Sequence, residues 1–218
     1  MRLAHLADVH VRPLSRHDEF KEVFLAFVKD AKESQVDHIF VGGDIFHTKT
    51  SGLSPEYIDF MTWLLNELSS FCSVHMILGN HDGNLTNLTR QDAITPIVNA
   101  LANPRIFLYK KSGVYQFAPG YNWCVFSLFD EEGWQDVQPV HGEINIACYH
   151  GPVHGAKSEL EWVIEDGLPI EFFEPYDLVF LGDIHRTQYL GYREVEITVD
   201  KNDLHRYPQA EVLETVDE

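Results

Sequence analysis

The feature that most constrains this chain is an alternation, running from the N-terminus to Leu78, between short aliphatic runs and amphipathic stretches. Residues 2–7, 36–41 and 74–78 are β-branched and aliphatic runs of strand length. Between the first two, Phe20, Val23, Phe24, Phe27, Val28 and Ala31 recur at the spacing of one helical face. Between the last two, Ser54-Pro55-Glu56 supplies a cap and a first-turn proline, and Tyr57, Phe60, Met61, Leu64, Leu65 and Leu68 make the apolar stripe. Strand, helix, strand, helix, strand predicts a parallel sheet with right-handed crossovers.

The second half reads differently. A helix over residues 92–101 is followed by strands near 105–109, 114–117, 123–129, 144–149 and 178–181, with one further helix at 158–165 and a surface loop at 130–139. Two packed sheets flanked by helices follow, in an α/β chain. With 218 residues and 44% hydrophobic content the chain can bury one substantial core, so a single compact domain is expected. Glu211, Glu214, Asp217 and Glu218 mark residues 206–218 as an acidic C-terminal tail, solvated and frayed.

Cys72, Cys124 and Cys148 are odd in number and form no CxxC pair, which excludes a disulfide framework and a thiolate zinc site and leaves them as small buried residues. The N-terminus places Asp8 after a short apolar run, so neither a signal peptide nor a membrane span is expected, and the protein reads as soluble and cytoplasmic. The net charge of −18 is the wrong sign for a partner that is itself a polyanion. Bound divalent cations would cancel part of it where a phosphate approaches.

Short polar motifs sit at the strand ends: Asp8-Val9-His10, Gly43-Asp44, Gly79-Asn80-His81-Asp82, His150-Gly151 and Gly182-Asp183-Ile184-His185. In an open α/β sheet the loops after the carboxyl ends of the strands form the ligand crevice, so these motifs can converge. Their side chains are oxygen and imidazole ligands. Asp8, His10, Asp44, Asn80, His150, Asp183 and His185 are the expected set for two divalent ions, with Asp44 bridging, Mn²⁺ favoured, and Mg²⁺ or Zn²⁺ possible. Such a pair, roughly 3.5 to 4 Å apart, clamps a phosphate and activates a water for in-line attack. His81 is the expected catalytic residue at the leaving oxygen, with Asp82 orienting it.

Taken in order, these motifs resemble the calcineurin-like metallophosphoesterase superfamily, from the start of the chain to about Gln188. The resemblance implies a four-layer αββα sandwich over residues 1–205, with a dinuclear site. Gly43-Asp44-Ile45-Phe46-His47, Tyr149-His150-Gly151 and Leu181-Gly182-Asp183-Ile184-His185-Arg186 narrow it to the SbcD-type DNA repair nuclease. That likeness implies a hydrolase with exonuclease, or also endonuclease, activity in repair, replication or recombination. It further implies DNA as substrate, a Rad-type (SbcC-like) ATPase subunit and a homodimer as partners, no membrane, and a DNA-positioning role for His47.

The chain departs from the family in carrying Asp183 where histidine is usual, and in showing no capping domain. A phosphodiesterase for small molecules or cyclic nucleotides is therefore the alternative, and a weakly active assembly subunit a third reading. A phosphoprotein phosphatase fits less well, because His47 and Asp82 replace that branch's Gly-Asp-x-x-Asp-Arg-Gly and Gly-Asn-His-Glu residues. His5, His38 and His75, inside apolar strands, read as structural histidines. Arg12, Arg16, Lys49 and Arg186 read as solvated, His154 as a loop residue and Trp134 as folded back on the core.

Overall fold

The computed structural model describes residues 1–12, 16–47, 54–186, 188, 190 and 210–214. Pro13 and Lys49 lie outside them. The chain runs β1 (Arg2–Leu6), α1 (His17–Glu33), β2 (His38–Val41), α2 (Pro55–Ser69), β3 (Ser73–Ile77), α3 (Thr95–Leu101), β4 (Ile106–Tyr109), β5 (Gly113–Ala118), β6 (Tyr121–Phe126), β7 (Ile144–His150), β8 (Leu178–Gly182) and β9 (Ala210–Glu214). One sheet has the order β4-β3-β2-β1-β9 and the other β5-β6-β7-β8. The strands β1 to β4 are mutually parallel, as are β6 to β8.

Period-two alternation explains how both faces of the first sheet are buried. Ala4, Leu6, Ile39, Val41, Val74 and Met76 face the helices, against Phe24, Phe27, Phe60 and Leu64. Leu3, Phe40 and Ile77 face the second sheet, meeting Trp123, Val125, Ile146, Cys148 and Phe180. The caps follow local chemistry. Ser54 Oγ accepts from the Tyr57 amide at the head of α2, and Asp92 Oδ1 accepts from the Ile94 and Thr95 amides ahead of α3. The outer face of the second sheet is covered by a third cluster that includes Val137, Phe173 and Tyr176, from loops and the two 3-10 helices Glu131–Asp136 and Ile170–Phe173.

Two local expectations are corrected. Residues 158–165 form no helix: 158–162 make a hairpin tip closed by the bridge Lys157↔Val163. Leu160 and Trp162 stay exposed there, so no buried apolar stripe supports a helix that is too short to stand alone. Within the expected acidic tail, Ala210–Glu214 is a strand, β9, that pairs antiparallel with β1. The free edge of β1 needs hydrogen-bond partners, and that demand overrides local acidity. The expected loop over 130–139 holds Trp134, whose Nε1 donates to the Ser127 carbonyl at 2.9 Å while the ring packs on Phe126 and Tyr149. The three cysteines are buried and free. No helix among the described residues is long and apolar enough to cross a membrane.

The strand histidines are structural. His5 stacks on Phe180, with ring centroids 4.7 Å apart. His75, 2% exposed, stacks on Phe107 and Tyr109, and its two nitrogens meet His38 Nδ1 at 3.1 Å and the Tyr109 hydroxyl at 2.8 Å. Burial pushes the His75 pKa down to about 3. The unfolded chain takes up a proton near pH 6.5 that the folded chain refuses, so this contribution is full above pH 6.5 and is lost as pH falls towards 3. Relative to His75→Phe, the native unfolding free energy in urea is expected to fall by about 1.4 kcal/mol per pH unit between roughly pH 6 and 4. Parallel slopes for the two proteins would rule this out.

Candidate metal centre

The motif loops meet beyond the carboxyl ends of β1, β2, β3, β7 and β8. The β1 and β2 loops extend their pairing past the strands, through Asp8 N to the Gly43 carbonyl, His10 N to the Asp44 carbonyl and Val11 N to the Ile45 carbonyl, at 3.0, 3.0 and 2.9 Å. That ladder sets Asp8, His10 and Asp44 side by side. Asp8, His10, Asp44 and Asp183 all take positive φ, between 48° and 76°. L-residues occupy this region at a cost, and such strain clusters at functional sites. Two glycines make the approach possible. A Cβ on Gly43 (φ 94°) would stand 2.7 Å from both Gly79 N and His150 Nδ1, and one on Gly79 would run into the Asp44 carboxylate.

Asp44 is buried, and its Oδ2 faces three imidazoles: His150 Nε2 at 3.4 Å, His10 Nε2 at 3.8 Å and His81 Nε2 at 3.9 Å. Its Oδ1 accepts the His81 amide at 2.7 Å. Asp8 faces a second group, with Oδ1 3.6 Å from His185 Nε2 and 3.9 Å from His10 Nε2, while the two Nε2 atoms lie 3.3 Å apart. Three sets of ligand atoms therefore lie within 4.8 Å of one another: Asp8, His10 and His185; His10, Asp44 and His81; Asp8, Asp44 and His150. They share Asp8, His10 and Asp44, which is the overlap that two adjacent cations need.

The donors fit such ions. Among the described residues His150 Nε2 is buried with no hydrogen-bond partner and stands 3.4 Å from Asp44 Oδ2, while Nδ1 donates to the Gly42 carbonyl at 2.7 Å. A proton on Nδ1 leaves the Nε2 lone pair for a ligand bond. Carboxylates and imidazoles without thiolates are the donor set of Mn²⁺, Fe²⁺ and Zn²⁺. Burial opposes charge on His150, yet the Asp44 carboxylate beside it holds its pKa up to about 9. The hydrogen bond to Asp8 likewise raises His185 to about 9. For His10 burial outweighs Asp44 and Asp8, and its pKa falls.

Of the expected ligands, Asp8, His10, Asp44, His150 and His185 come together. Asn80 lies on the β3 turn whose neighbours Gly79 and His81 both approach Asp44. Asp183 enters the site through its backbone, its amide donating to both Asp8 oxygens at 3.0 Å, and its carboxylate stands outside the three ligand sets. Burial raises the pKa of that carboxylate.

His81, expected only as a catalytic side chain, stands at ligand distance. Its Nδ1 donates to the His47 carbonyl at 2.7 Å, so Nε2 faces the centre. The His47 ring stacks beside that of His81 at 6.4 Å and meets His10 edge-on at 5.7 Å. The role expected of Asp82 is corrected. Its Oδ1 accepts from the Ile45 and Phe46 amides and its Oδ2 from Gly79, so it clamps the β2 and β3 loops together and leaves the orientation of His81 to the His47 carbonyl. Arg16 pairs with Glu19 and Arg186 with Glu161. His154 bonds the Glu165 carbonyl at the surface.

The family model for calcineurin-like phosphoesterases matches residues 1–187. Uncharacterized protein R555 of Acanthamoeba polyphaga mimivirus is 40% identical over 204 residues, which cover 86% of this chain, and the chain spans only 15% of the length of that relative. Among solved structures the chain is similar to a nuclease MPE of Pseudomonas putida, at 16% identity and a TM-score of 0.41 over 75% of this chain and 67% of that one. It is also similar to an archaeal phosphodiesterase, at 12% identity and a TM-score of 0.37 over 77% of this chain and 84% of that one.

Proposed function

Since this chain belongs to the calcineurin-like phosphoesterase family, we propose that it is a metal-dependent phosphodiesterase that cleaves DNA, with exonuclease activity. The observation that carries the hydrolytic reading is the Asp44 carboxylate, buried, with one oxygen facing His10, His81 and His150. Asp8, His10 and His185 would hold one ion and His150 with Asn80 the other, with Asp44 common to both. Bound there, two divalent cations supply Lewis acidity to the phosphoryl oxygens and a water acidic enough to attack at neutral pH. Mn²⁺ is the proposed metal.

The residues of the chain do the rest. The Gly42 carbonyl turns His150 inward, and the His47 carbonyl turns His81 so that its Nε2 serves the reacting phosphate. The His81 side chain is partly open to solvent, and as the imidazolium, with Nδ1–H kept on the His47 carbonyl, it would give its Nε2 proton to the leaving oxygen and become the neutral imidazole. His47, on the same rim, supports the DNA reading as a contact for the phosphodiester backbone. A Rad-type ATPase subunit and a second copy of the chain are its proposed partners. The charge of −18 favours a second reading, hydrolysis of a small or cyclic phosphodiester.

A Mn²⁺-dependent digestion panel with linear duplex DNA, single-stranded DNA, RNA and cyclic nucleotides separates the two, with Asp44→Ala as blank. Degradation of DNA above the blank is the expected result. Hydrolysis of a small phosphodiester with both DNA substrates intact would sink the nuclease reading.

A further inference from the structure

We propose that Glu159 is a positioning residue that holds the His185 imidazole to the metal centre. The inference rests on the two-cation reading of the site. Glu159 Oε1 lies 3.1 Å from His185 Nδ1, and the opposite nitrogen of that ring, Nε2, faces Asp8 Oδ1 and His10 Nε2. With the proton on Nδ1 donated to the carboxylate, the Nε2 lone pair is directed at the cation position, and the negative charge behind the ring makes that nitrogen a stronger donor. His150 is oriented by a neutral backbone carbonyl, whereas His185 has a carboxylate.

Glu159 comes from a distant part of the chain, and the fold brings it there deliberately. It sits on a hairpin closed by the bridge Lys157↔Val163 and by Ser158 N donating to the Trp162 carbonyl at 2.8 Å. The turn is completed by Glu161 N donating to the Ser158 carbonyl, with Glu161 itself at φ 67°. The hairpin is fastened to the segment that follows His185. Lys157 N donates to Gln188 Oε1 at 2.7 Å, Gln188 Nε2 donates to the Lys157 carbonyl at 2.9 Å, and the Arg186 guanidinium pairs with the Glu161 carboxylate. These contacts hold the hairpin whether or not Glu159 is charged. An exposed ion pair adds little to folding, so the effect of the carboxylate falls on the orientation and basicity of His185.

The test is calorimetric titration of the metal-free full chain with Mn²⁺, comparing native protein, Glu159→Gln and Glu159→Ala, alongside melting curves without metal. Glutamine keeps an acceptor for Nδ1–H and loses the charge, and alanine loses both. One of the two binding steps is expected to weaken by roughly 10- to 100-fold in Glu159→Ala and by less in Glu159→Gln, with the other step and the metal-free melting curves unchanged. Isotherms equal to native in both variants would overturn the proposal. So would a loss of affinity matched by a lower metal-free melting temperature, which marks a structural role. A native chain that binds no Mn²⁺ would sink the metal centre itself, an outcome visible before any variant is made.

Discussion

Asparagine in place of Asp44 is expected to lower metal-dependent phosphodiester hydrolysis by roughly a thousandfold or more, because it removes the one charge common to both proposed cation positions. The amide keeps the shape and one acceptor, so the His81 amide retains its 2.7 Å partner and the β3 turn keeps its anchor. What disappears is the negative oxygen facing His10, His81 and His150. Turnover at saturating Mn²⁺, measured on the best substrate from the digestion panel, reads the effect directly. Residual activity above a tenth of native would mean that Asp44 is peripheral to the chemistry.

Asp82→Ala is expected to act on stability, by about 3 to 5 kcal/mol, the cost of removing one partner from a buried, charged hydrogen-bond cluster. Asp82 is 1% exposed and accepts from three amides, those of Ile45, Phe46 and Gly79. Truncation leaves those three N–H groups buried where water does not replace the carboxylate. Burial, with Asp44 nearby, raises its pKa to about 7, and the backbone amides of Gly79 and Phe46 oppose that rise. Urea unfolding at pH 7.5 measures the loss, and a change under about 1 kcal/mol would return Asp82 to the catalytic role expected from its neighbour His81.

Much of this was legible in local patterns. The period-two runs around Ala4, Ile39 and Val74 and the stripe from Tyr57 to Leu68 are covalent facts of the chain, and each dictates its own strand or helix. The Ser54 cap with Pro55 likewise marks the start of α2 to the residue. The ligand motifs were readable for the same reason. A polar residue placed directly after an apolar strand reaches the sheet rim whatever the remainder of the chain does, which is why Asp8, Asp44 and His150 were found together.

Other features depend on partners that no local pattern names. The acidic segment around Leu213 pairs because β1 has a free edge, and the preference for a helix over 158–165 yields because that segment finds no surface on which to bury a stripe. Asp82 turns its carboxylate to three backbone amides because the β2 loop passes beside it. Glu159 meets His185 only because a hairpin is pinned to the last motif. The sequence by itself determined which residues stand at the strand ends and with what chemistry. Tertiary structure alone decided which of them face one another, because hydrogen bonds and charge interactions act through space over a few ångströms, and sequence separation sets no limit on what can come that close.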